Sequence, residues 1–419
     1  MRYIISFLFL CQLAWAQIPI PVNYDTIYND DIASLKCNVS GLPLTLPLIE
    51  LGKDVNISIS YDDLGGAQHR YRYEIIHVDK NWQRDELNEL EYIEGFNRSE
   101  IRSYAYSTNR NANYTHYSFY IPNQEIKLKI SGNYLLHVYE EPKRGQRNYI
   151  FTRRILVVDP KVKVSPLFVR PSDALLYRSN QELDLEVFVK GFNIYNSREE
   201  ITASVMQNGR WATLIPNIKQ NRDKTDYLVM DYIDKITFRA GKEFRFFDTR
   251  TLLFRSRFVK KITNNKDETI VTLYDDKLRD GINFIAETDA NGNYILDNSD
   301  YPDAPRSSEY TWVDFTLQVP EFKDLKVFVI GAFCDWQCKP MYQLKWDAES
   351  GKYLGSAFLK QGYYNYAYAI QGPNGETTSS PIEGDWYETE NEYQVMIYYR
   401  PFGTRYDQLI CCQTFSTKQ

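Results

Sequence analysis

Apolar and polar residues alternate with a period of two in many short stretches of the chain. Residues 55–61 (VNISISY), 71–78 (YRYEIIHV) and 183–189 (LDLEVFV) show the alternation clearly. Because this period places successive side chains on opposite faces, each stretch predicts a half-buried β-strand. Further strands are predicted at residues 117–121, 134–139, 153–158, 200–206, 310–319, 327–330, 353–359, 363–370 and 393–399.

The predicted strands follow one another without amphipathic helices between them, and one short helix is predicted at residues 85–92. This spacing is typical of sandwiches built from short antiparallel strands. Strand patterns run into proline at Asp159-Pro160 and Val319-Pro320, which we interpret as domain boundaries. The sequence therefore predicts an all-β fold of three consecutive β-sandwich domains (immunoglobulin-like or early-set), at residues 17–159, 160–319 and 320–419.

The first sixteen residues, 1–16, have the layout of a secretory signal peptide. Arg2 gives a positive start, residues 4–10 (IISFLFL) are apolar, and Ala14 and Ala16 supply the small residues that a signal peptidase reads. No later stretch reaches the ~20 apolar residues of a membrane-spanning helix. The sequence predicts an exported, periplasmic protein without a membrane span.

Composition narrows the classes of partner. The 49 basic and 55 acidic residues are mixed along the chain, which argues against nucleic acid as a partner. The 34 tyrosines and 22 phenylalanines suit pleated sheets, and tyrosine also suits protein-binding faces. We interpret most of these tyrosines as sheet residues.

The chain offers little catalytic chemistry. Its four histidines include no pair at a metal-ligand spacing, and no GxSxG, P-loop or CxxC motif is present. Neighbouring carboxylates predict turns or solvated positions. The sequence therefore predicts a protein that is not an enzyme and has no cofactor. The carboxylate pairs are Asp62-Asp63, Glu140-Glu141, Glu199-Glu200 and Asp275-Asp276.

Residues 289–300 (DANGNYILDNSD) resemble a calcium-binding loop in part. Oxygen-bearing side chains recur at positions 1, 3, 5, 9 and 12, but glycine stands at position 4 rather than 6, and position 12 is aspartate rather than glutamate. A polar hairpin or loop explains the same residues. The candidate ligands are Asp289, Asn291, Asn293, Asp297 and Asp300.

The cysteines allow one disulfide candidate. Of six cysteines, Cys11 lies in the predicted signal peptide, which leaves an odd number. Cys334 and Cys338 could be bridged if a turn brings them together. Cys411 and Cys412 are neighbours, and their Cα separation of ~3.8 Å is shorter than the ~4.4–6.8 Å usual for a disulfide. A bond between them would be strained, so we expect none.

The C-terminal region suggests a carbohydrate-binding alternative. Residues 327–336 (VFVIGAFCDW) and 362–368 (GYYNYAY) resemble two strands of a glycogen-binding early-set module. In that family the tryptophan matching Trp336 stacks on sugar. The second tryptophan of the family is missing from residues 371–375 (QGPNG), so Trp336 is a candidate sugar-stacking residue on an incomplete platform.

A further set of motifs, in order along nearly the whole mature chain, resembles a single family. The motifs are residues 61–66 (YDDLGG), 73–77 (YEIIH) with Asp79 and Trp82, 91–97 (EYIEGFN), 114–117 (YTHY), 128–136 (LKISGNYLL), 362–366 (GYYNY), 383–393 (EGDWYETENEY) and 398–403 (YYRPFG). With these motifs the sequence resembles the plug proteins of the type IX secretion system of Bacteroidota, formerly a domain of unknown function.

The resemblance implies a periplasmic plug that acts without covalent chemistry. Such a protein binds the large outer-membrane translocon barrel and occludes its periplasmic opening when no cargo is engaged. It would be monomeric when free. Tyrosine-rich turns are candidate contacts, although each could equally pack within its own domain; these are Tyr104, Tyr106, Tyr387, Tyr398 and Tyr399.

Overall fold

Strands dominate the computed structural model, which describes residues 25–109, 112–281 and 286–418. The predicted signal peptide, with Cys11, lies outside the described residues. The predicted all-β class is confirmed, and the four α-helices are single turns. Strands are numbered β1–β32 and helices α1–α4 in chain order, and the described residues group into three units by shared core.

The first unit packs two main sheets around one core. One sheet has the order β1-β12-β11-β5-β7 with β3 beside β12, the other has the order β2-β4-β9-β8, and β6 pairs with β10. The inward side chains of both sheets share a buried cluster, for example Ile59 and Ile75. The elements are β1 (Thr26–Ile27), β2 (Ile32–Val39), β3 (Leu48–Glu50), β4 (Ile57–Asp63), β5 (Tyr71–Val78), α1 (Glu89–Tyr92), β6 (Ile93–Gly95), β7 (Ser99–Glu100), β8 (Tyr104–Tyr106), β9 (Thr115–Ile121), β10 (Ile126–Leu128), β11 (Gly132–Lys143) and β12 (Gln146–Val158).

The second unit is built from two separate parts of the chain. Its sheets have the orders β13-β14-β18-β17, with β19 on β14, and β16-β15-β31-β32. All seven residues of β15 are buried, as expected for a central strand, and β31 covers one of its edges. The elements are β13 (Lys163–Val169), β14 (Asn180–Phe188), α2 (Ser197–Glu200), β15 (Ile201–Gln207), a 3₁₀ turn (Trp211–Thr213), β16 (Ile215–Ile218), β17 (Arg222–Asp223), β18 (Tyr227–Met230), β19 (Thr237–Arg239), β31 (Glu392–Tyr399) and β32 (Gln408–Ser416).

The third unit is inserted between these two parts. Its strands form one pairing path, β20-β29-β26-β27-β28-β25-β22-β21. The path folds back on itself, because the rings of Phe247 in β20 and Phe315 in β25 lie 5.8 Å apart. The elements are β20 (Arg245–Asp248), β21 (Val259–Asn264), β22 (Thr269–Leu273), β23 (Asp276–Lys277), β24 (Tyr294–Leu296), α3 (Ala304–Ser307), β25 (Tyr310–Gln318), β26 (Lys326–Ile330), 3₁₀ turns at Ala332–Cys334 and Pro340–Tyr342, β27 (Gln343–Asp347), β28 (Lys352–Lys360), β29 (Gly362–Gln371), β30 (Thr377–Thr378) and α4 (Ser380–Glu383).

The units therefore do not follow one another as three consecutive segments. The boundary expected at Val319-Pro320 falls inside the third unit, where Leu317 and Val327 share one core. Pro320 follows the end of β25, because proline cannot donate a ladder hydrogen bond. It marks the end of a strand, and residues 392–416 return to the second unit rather than forming part of a third domain.

Asp62 and Asp63, which were predicted to lie in a turn or at a solvated position, are buried in a strand instead. Asp62 is 0% exposed and accepts hydrogen bonds from Lys360 (2.6 Å) and Tyr310 (2.8 Å), both in the third unit. Nδ1 of His116 lies 2.7 Å from its other oxygen. Asp63 is also buried and accepts a hydrogen bond from the Tyr71 hydroxyl. The contacts of Asp62 join the first and third units across their junction.

The two crossings between the second and third units run side by side. Gly241 accepts a backbone hydrogen bond from Trp386, and Glu243 accepts one from the backbone of Glu390. Burial raises the pKa of the Glu243 carboxyl to about 7 from 4.5, and the nearby carboxylates of Asp289 and Glu390 add to the rise. Glu243 therefore binds a proton in the folded state at a pH where the unfolded chain has lost it.

We expect Glu243→Gln to stabilise the protein at alkaline pH. Stability conferred by the protonated carboxyl is lost as the pH rises from about 4.5 to about 7, and the amide avoids that loss. At about pH 8 the free energy of unfolding should rise by about 2 kcal/mol, since one pKa unit corresponds to about 1.4 kcal/mol and solvent screening reduces the full value.

Urea unfolding of the Glu243→Gln variant at several pH values measures this gain. Glu94→Gln, at an exposed position, should change little at any pH. A gain that persists unchanged at about pH 4, where the native carboxyl is protonated in both states, would contradict the argument.

Candidate functional site

Two loops at one end of the second unit present fully exposed aromatic side chains. Tyr195 lies between β14 and α2, Phe402 lies between β31 and β32, and both are 95% exposed. The buried carboxylate of Glu200 accepts hydrogen bonds from the backbone N–H groups of Tyr195 (2.9 Å) and Phe402 (3.2 Å). We call Tyr195 and Phe402 the aromatic tip. One side chain thus fixes both loops by their backbones and leaves the two rings outside.

The base of the aromatic tip is packed. The rings of Phe192 and Tyr399 meet edge to face at 4.8 Å, and the Tyr399 hydroxyl donates to the Asn193 carbonyl. The backbone N–H of Arg400 donates to the Glu200 carbonyl at 2.8 Å. The loops are therefore anchored on both sides of Glu200, which limits the entropy lost if the rings bind a partner.

The Phe402 loop also contacts the first unit. Arg405 pairs with Glu91 of α1, and the buried carboxylate of Asp407 accepts a hydrogen bond from the backbone of Lys80 (3.1 Å). Leu90, next to Glu91, is 78% exposed. Exposed apolar side chains from two units thus lie at one junction, and such groupings commonly mark protein-binding sites.

The tyrosines predicted as contacts fall into different environments. Tyr104 and Tyr106 lie on the edge strand β8, largely exposed, with ring centres 5.9 Å apart. Tyr398 is buried and donates to the Asn133 side chain. Tyr387 is covered by the guanidinium of Arg170. Of these candidates, the β8 pair presents a surface.

Sequence reasoning missed the aromatic tip. Tyr195 and Phe402 belong to no alternating pattern. Tyr195 lies between predicted strands, and Phe402 follows the last predicted strand within the motif at residues 398–403, but neither position indicates an exposed ring. Many loops carry an aromatic residue, so that signal does not separate an exposed ring from a packed one. The exposure of both rings follows from the way Glu200 holds their loops.

Each of the four histidines lies beside a carboxylate of the first unit. The pairs are His69–Glu140 (2.8 Å), His77–Asp85, His116–Asp62 (2.7 Å) and His137–Glu74 (3.6 Å). His77 is buried and hydrogen-bonds Asp85, as expected for a residue that satisfies an internal polar contact. His137 is also buried, and neither of its ring nitrogens has a hydrogen-bond partner in the part of the chain that the structure describes.

The candidate calcium ligands at the two ends of residues 289–300 are used by the protein itself. Asp289 accepts backbone hydrogen bonds from Phe244 and Asn291. Asp300 accepts from the hydroxyl of Thr251 at 2.6 Å. These are turn and loop contacts, which match the polar-loop interpretation of the segment.

The remaining candidates also serve local turns. The backbone N–H of Asn293 donates to Ala290, and Asp297 accepts from the backbone of Asn298. Burial raises the pKa of Asp289, which disfavours the charged form that a cation needs. Among the described residues, no three His, Cys, Asp or Glu side chains are arranged to hold a metal ion.

The disulfide suggested by the Cys334–Cys338 spacing is not formed. Both are free thiols: that of Cys334 is buried and donates to the Gly331 carbonyl, and that of Cys338 lies 3.8 Å from the Thr377 hydroxyl. Burial raises the pKa of the Cys334 thiol to about 12, which keeps it protonated.

Trp336 lies in the junction between units rather than on an open platform. The guanidinium of Arg210 is 4.2 Å from its ring centre, and the Phe244 ring is 5.4 Å away. Its ring edge packs on Gly292, where a Cβ atom would stand 2.1 Å from Cη2. The geometry therefore offers no uncovered stacking face of the kind that the sugar-binding alternative needs.

Comparison with known protein families gives a match within the first unit, which contains α1 and the four histidines. Residues 32–159 match the model of the family described as the type 9 secretion system plug protein 1st domain. The first unit of this chain is therefore similar to the first domain of the plug proteins. The matched residues run from β2 to the end of β12 and coincide with nearly all of the first unit.

Similarity to a known structure extends well beyond residues 32–159. A crystal structure of a hypothetical protein from Parabacteroides merdae is similar over 94% of this chain and 99% of its own, with 28% identity and a TM-score of 0.87. No curated protein matches the chain. Plug proteins are components of a secretion system rather than a known class of enzyme. No described helix is long and apolar enough to cross a membrane.

Proposed function

We propose that this protein closes the periplasmic opening of the type 9 translocon barrel by binding to the barrel when no cargo is engaged. The observation that carries the proposal is the plug-domain match over residues 32–159. The mechanism is steric: a folded body occupies the opening, and no covalent step is needed. The proposal includes export to the periplasm, binding from that side, and a monomeric state before binding.

The aromatic tip is the proposed anchor on the barrel. Aromatic side chains contribute disproportionately to protein interfaces, and rings that are already positioned lose little freedom on binding. Glu200 holds the backbones of Tyr195 and Phe402, so binding a partner would order their exposed rings without having to order their loops. The Phe402 loop also borders the first unit, so the aromatic tip and the matched domain can contact one partner together.

A plug protein must keep its three units in a fixed arrangement while it closes the opening of the barrel. Buried ion pairs join the first and third units, with Asp62–Lys360 in one place and Arg153–Asp335 in another. The Arg405–Glu91 and Asp407–Lys80 contacts join the first and second units. Polar contacts that are satisfied only in one arrangement favour a fixed orientation of the three units.

Affinity purification from detergent-solubilised outer membranes tests the proposal. A tagged protein should recover the barrel when cargo is absent, and fractionation should place the protein in the periplasm. Deletion should let large antibiotics enter through the barrel, and restoring the gene should reverse this. Recovery of no barrel, together with unchanged permeability on deletion, would refute the plug role.

A further inference from the structure

A partly buried arginine at the junction of the second and third units has no acidic partner among the described residues. Arg210 follows β15, and no described carboxylate forms an ion pair or hydrogen bond with its guanidinium. Its Nε is buried and has no hydrogen-bond partner. Buried cations are normally paired, because removing an isolated charge from water is costly. The buried Nε of Arg210, which has no hydrogen-bond partner, is an exception to this rule and points to a ligand.

The guanidinium is held in a fixed position by aromatic packing. It lies 4.2 Å from the ring centre of Trp336. The Trp336 ring is in turn fixed by close packing on Gly292 (φ +80°), a site with no room for a side chain. Stacking leaves the edges of a guanidinium, which carry its N–H groups, free to donate in the plane.

Arg210 and Trp336 line a cavity of about 470 Å³ between the two units. This volume is in the range of small-molecule sites. Buried apolar side chains, among them Phe238 and Ile330, form part of its wall, and exposed Thr377 and Thr378 lie at its rim. The hydroxyl of Thr237, also in the wall, is buried and has no hydrogen-bond partner. Two unsatisfied polar groups thus line one cavity.

The acidic residues of the cavity wall are already paired elsewhere. Glu383 binds Arg245 (3.0 Å) and Arg279 (3.4 Å), and Asp385 binds Arg239 (3.2 Å). Burial lowers the pKa of Arg210 to about 10, so it still carries its charge at neutral pH. The positive charge of Arg210 is not matched by an anion of the wall.

We propose that this cavity binds a small ligand with one carboxylate group. The guanidinium edge of Arg210 donates to the carboxylate, the Thr237 hydroxyl supplies a further polar contact, and the apolar body of the ligand lies along the wall. The edge of one guanidinium fits the two oxygens of a planar carboxylate, with which it can form a bidentate pair. The site is independent of the proposed plug role, which needs no small ligand.

Isothermal titration of the full chain with phenylacetate, and with neutral phenylacetamide as the matched probe, tests the site. Phenylacetate should bind saturably and at least about tenfold more tightly than phenylacetamide, since one charge-assisted contact is lost in the amide. Arg210→Met should weaken phenylacetate binding by a similar factor, and Arg102→Met, an exposed arginine in the first unit, should not.

Three results would overturn the proposal. They are no saturation by phenylacetate below about 10 mM, equal affinity for the two probes, or unchanged binding by Arg210→Met. Preferential binding of inorganic phosphate would overturn the assignment to a carboxylate. Two peptides that end in phenylalanine, one with a free C-terminus and one amidated, distinguish a peptide end from a free acid as the source of the carboxylate.

A second measurement does not depend on the probe. Without ligand, Arg210→Met should keep or raise the midpoint of urea unfolding, because it removes an unpaired buried charge and retains an unbranched apolar stem. A clear fall in the midpoint would mean that Arg210 serves the fold, and would contradict a site held open for an anion.

Discussion

Replacement of Tyr195 and Phe402 together by serine is expected to weaken binding to the translocon barrel by a factor of about 100 or more. Each ring is 95% exposed, so each can bury nearly its whole surface against a partner. Truncation of an aromatic hot-spot residue costs about 2 kcal/mol or more, and about 1.4 kcal/mol corresponds to a factor of ten. Because neither ring contributes to the core, the free energy of unfolding should change by less than about 0.5 kcal/mol.

A matched pair elsewhere on the surface separates a specific anchor from general stickiness. Phe254 and Tyr301 are exposed on the third unit, and their double serine variant should recover the barrel as the wild type does. Equal loss of binding in the two double variants, or full binding by the Tyr195/Phe402 variant, would exclude the aromatic tip as the anchor. The plug role itself would then rest on another face, such as Tyr104 and Tyr106 of β8.

Asp62→Asn is expected to lower the free energy of unfolding by about 3–5 kcal/mol, because it leaves the ammonium of Lys360 buried without its counterion. Both side chains are fully or nearly fully buried. Burial lowers the pKa of Lys360, and the carboxylate of Asp62 opposes this effect. Without that carboxylate the folded state holds either an unpaired cation or a neutral amine at neutral pH. Denaturant unfolding measures the loss.

Two further variants identify the cause of that loss. Asp62→Asn combined with Lys360→Met should recover much of the stability, since no charge remains uncompensated. Glu94→Gln breaks the exposed Lys127–Glu94 pair and should cost no more than about 0.5 kcal/mol. A double variant as unstable as Asp62→Asn alone would show that the hydrogen bonds of Asp62 to Tyr310 or His116 matter more than the ion pair.

Strands with clear alternation could be predicted from the sequence, and the order of the units could not. Residues 71–78 form β5 with the predicted bounds, and residues 393–399 lie in β31. Alternation depends on which face of a strand is buried, and this is a local property. The strands β15 and β31 pair although the whole third unit separates them along the chain. A local pattern of apolar residues carries no signal for such a distant pairing.

For the candidate surface, too, local features could be predicted from the sequence and contacts between distant residues could not. Glu199 and Glu200 were predicted to lie in a turn or at a solvated position, yet Glu200 is buried because it binds the backbones of two loops that meet only in the folded protein. Tyr398 was a candidate contact because of its residue type, but its position in β31 directs its side chain toward Asn133 of the first unit. Residue type indicated a protein-binding function, while the fold decided which aromatic residues remain exposed.

The divided second unit also sets an order of events in time. A chain made from its N-terminus can complete the first unit once β12 exists, but β15 stays without its partner until β31 and β32 have been made. During that interval an apolar strand edge is open to pairing with other chains, which is a known route to aggregation. The third unit must fold before β31 and β32 have paired with β15. The exposed edge of β15 is therefore covered only after these two strands have been made.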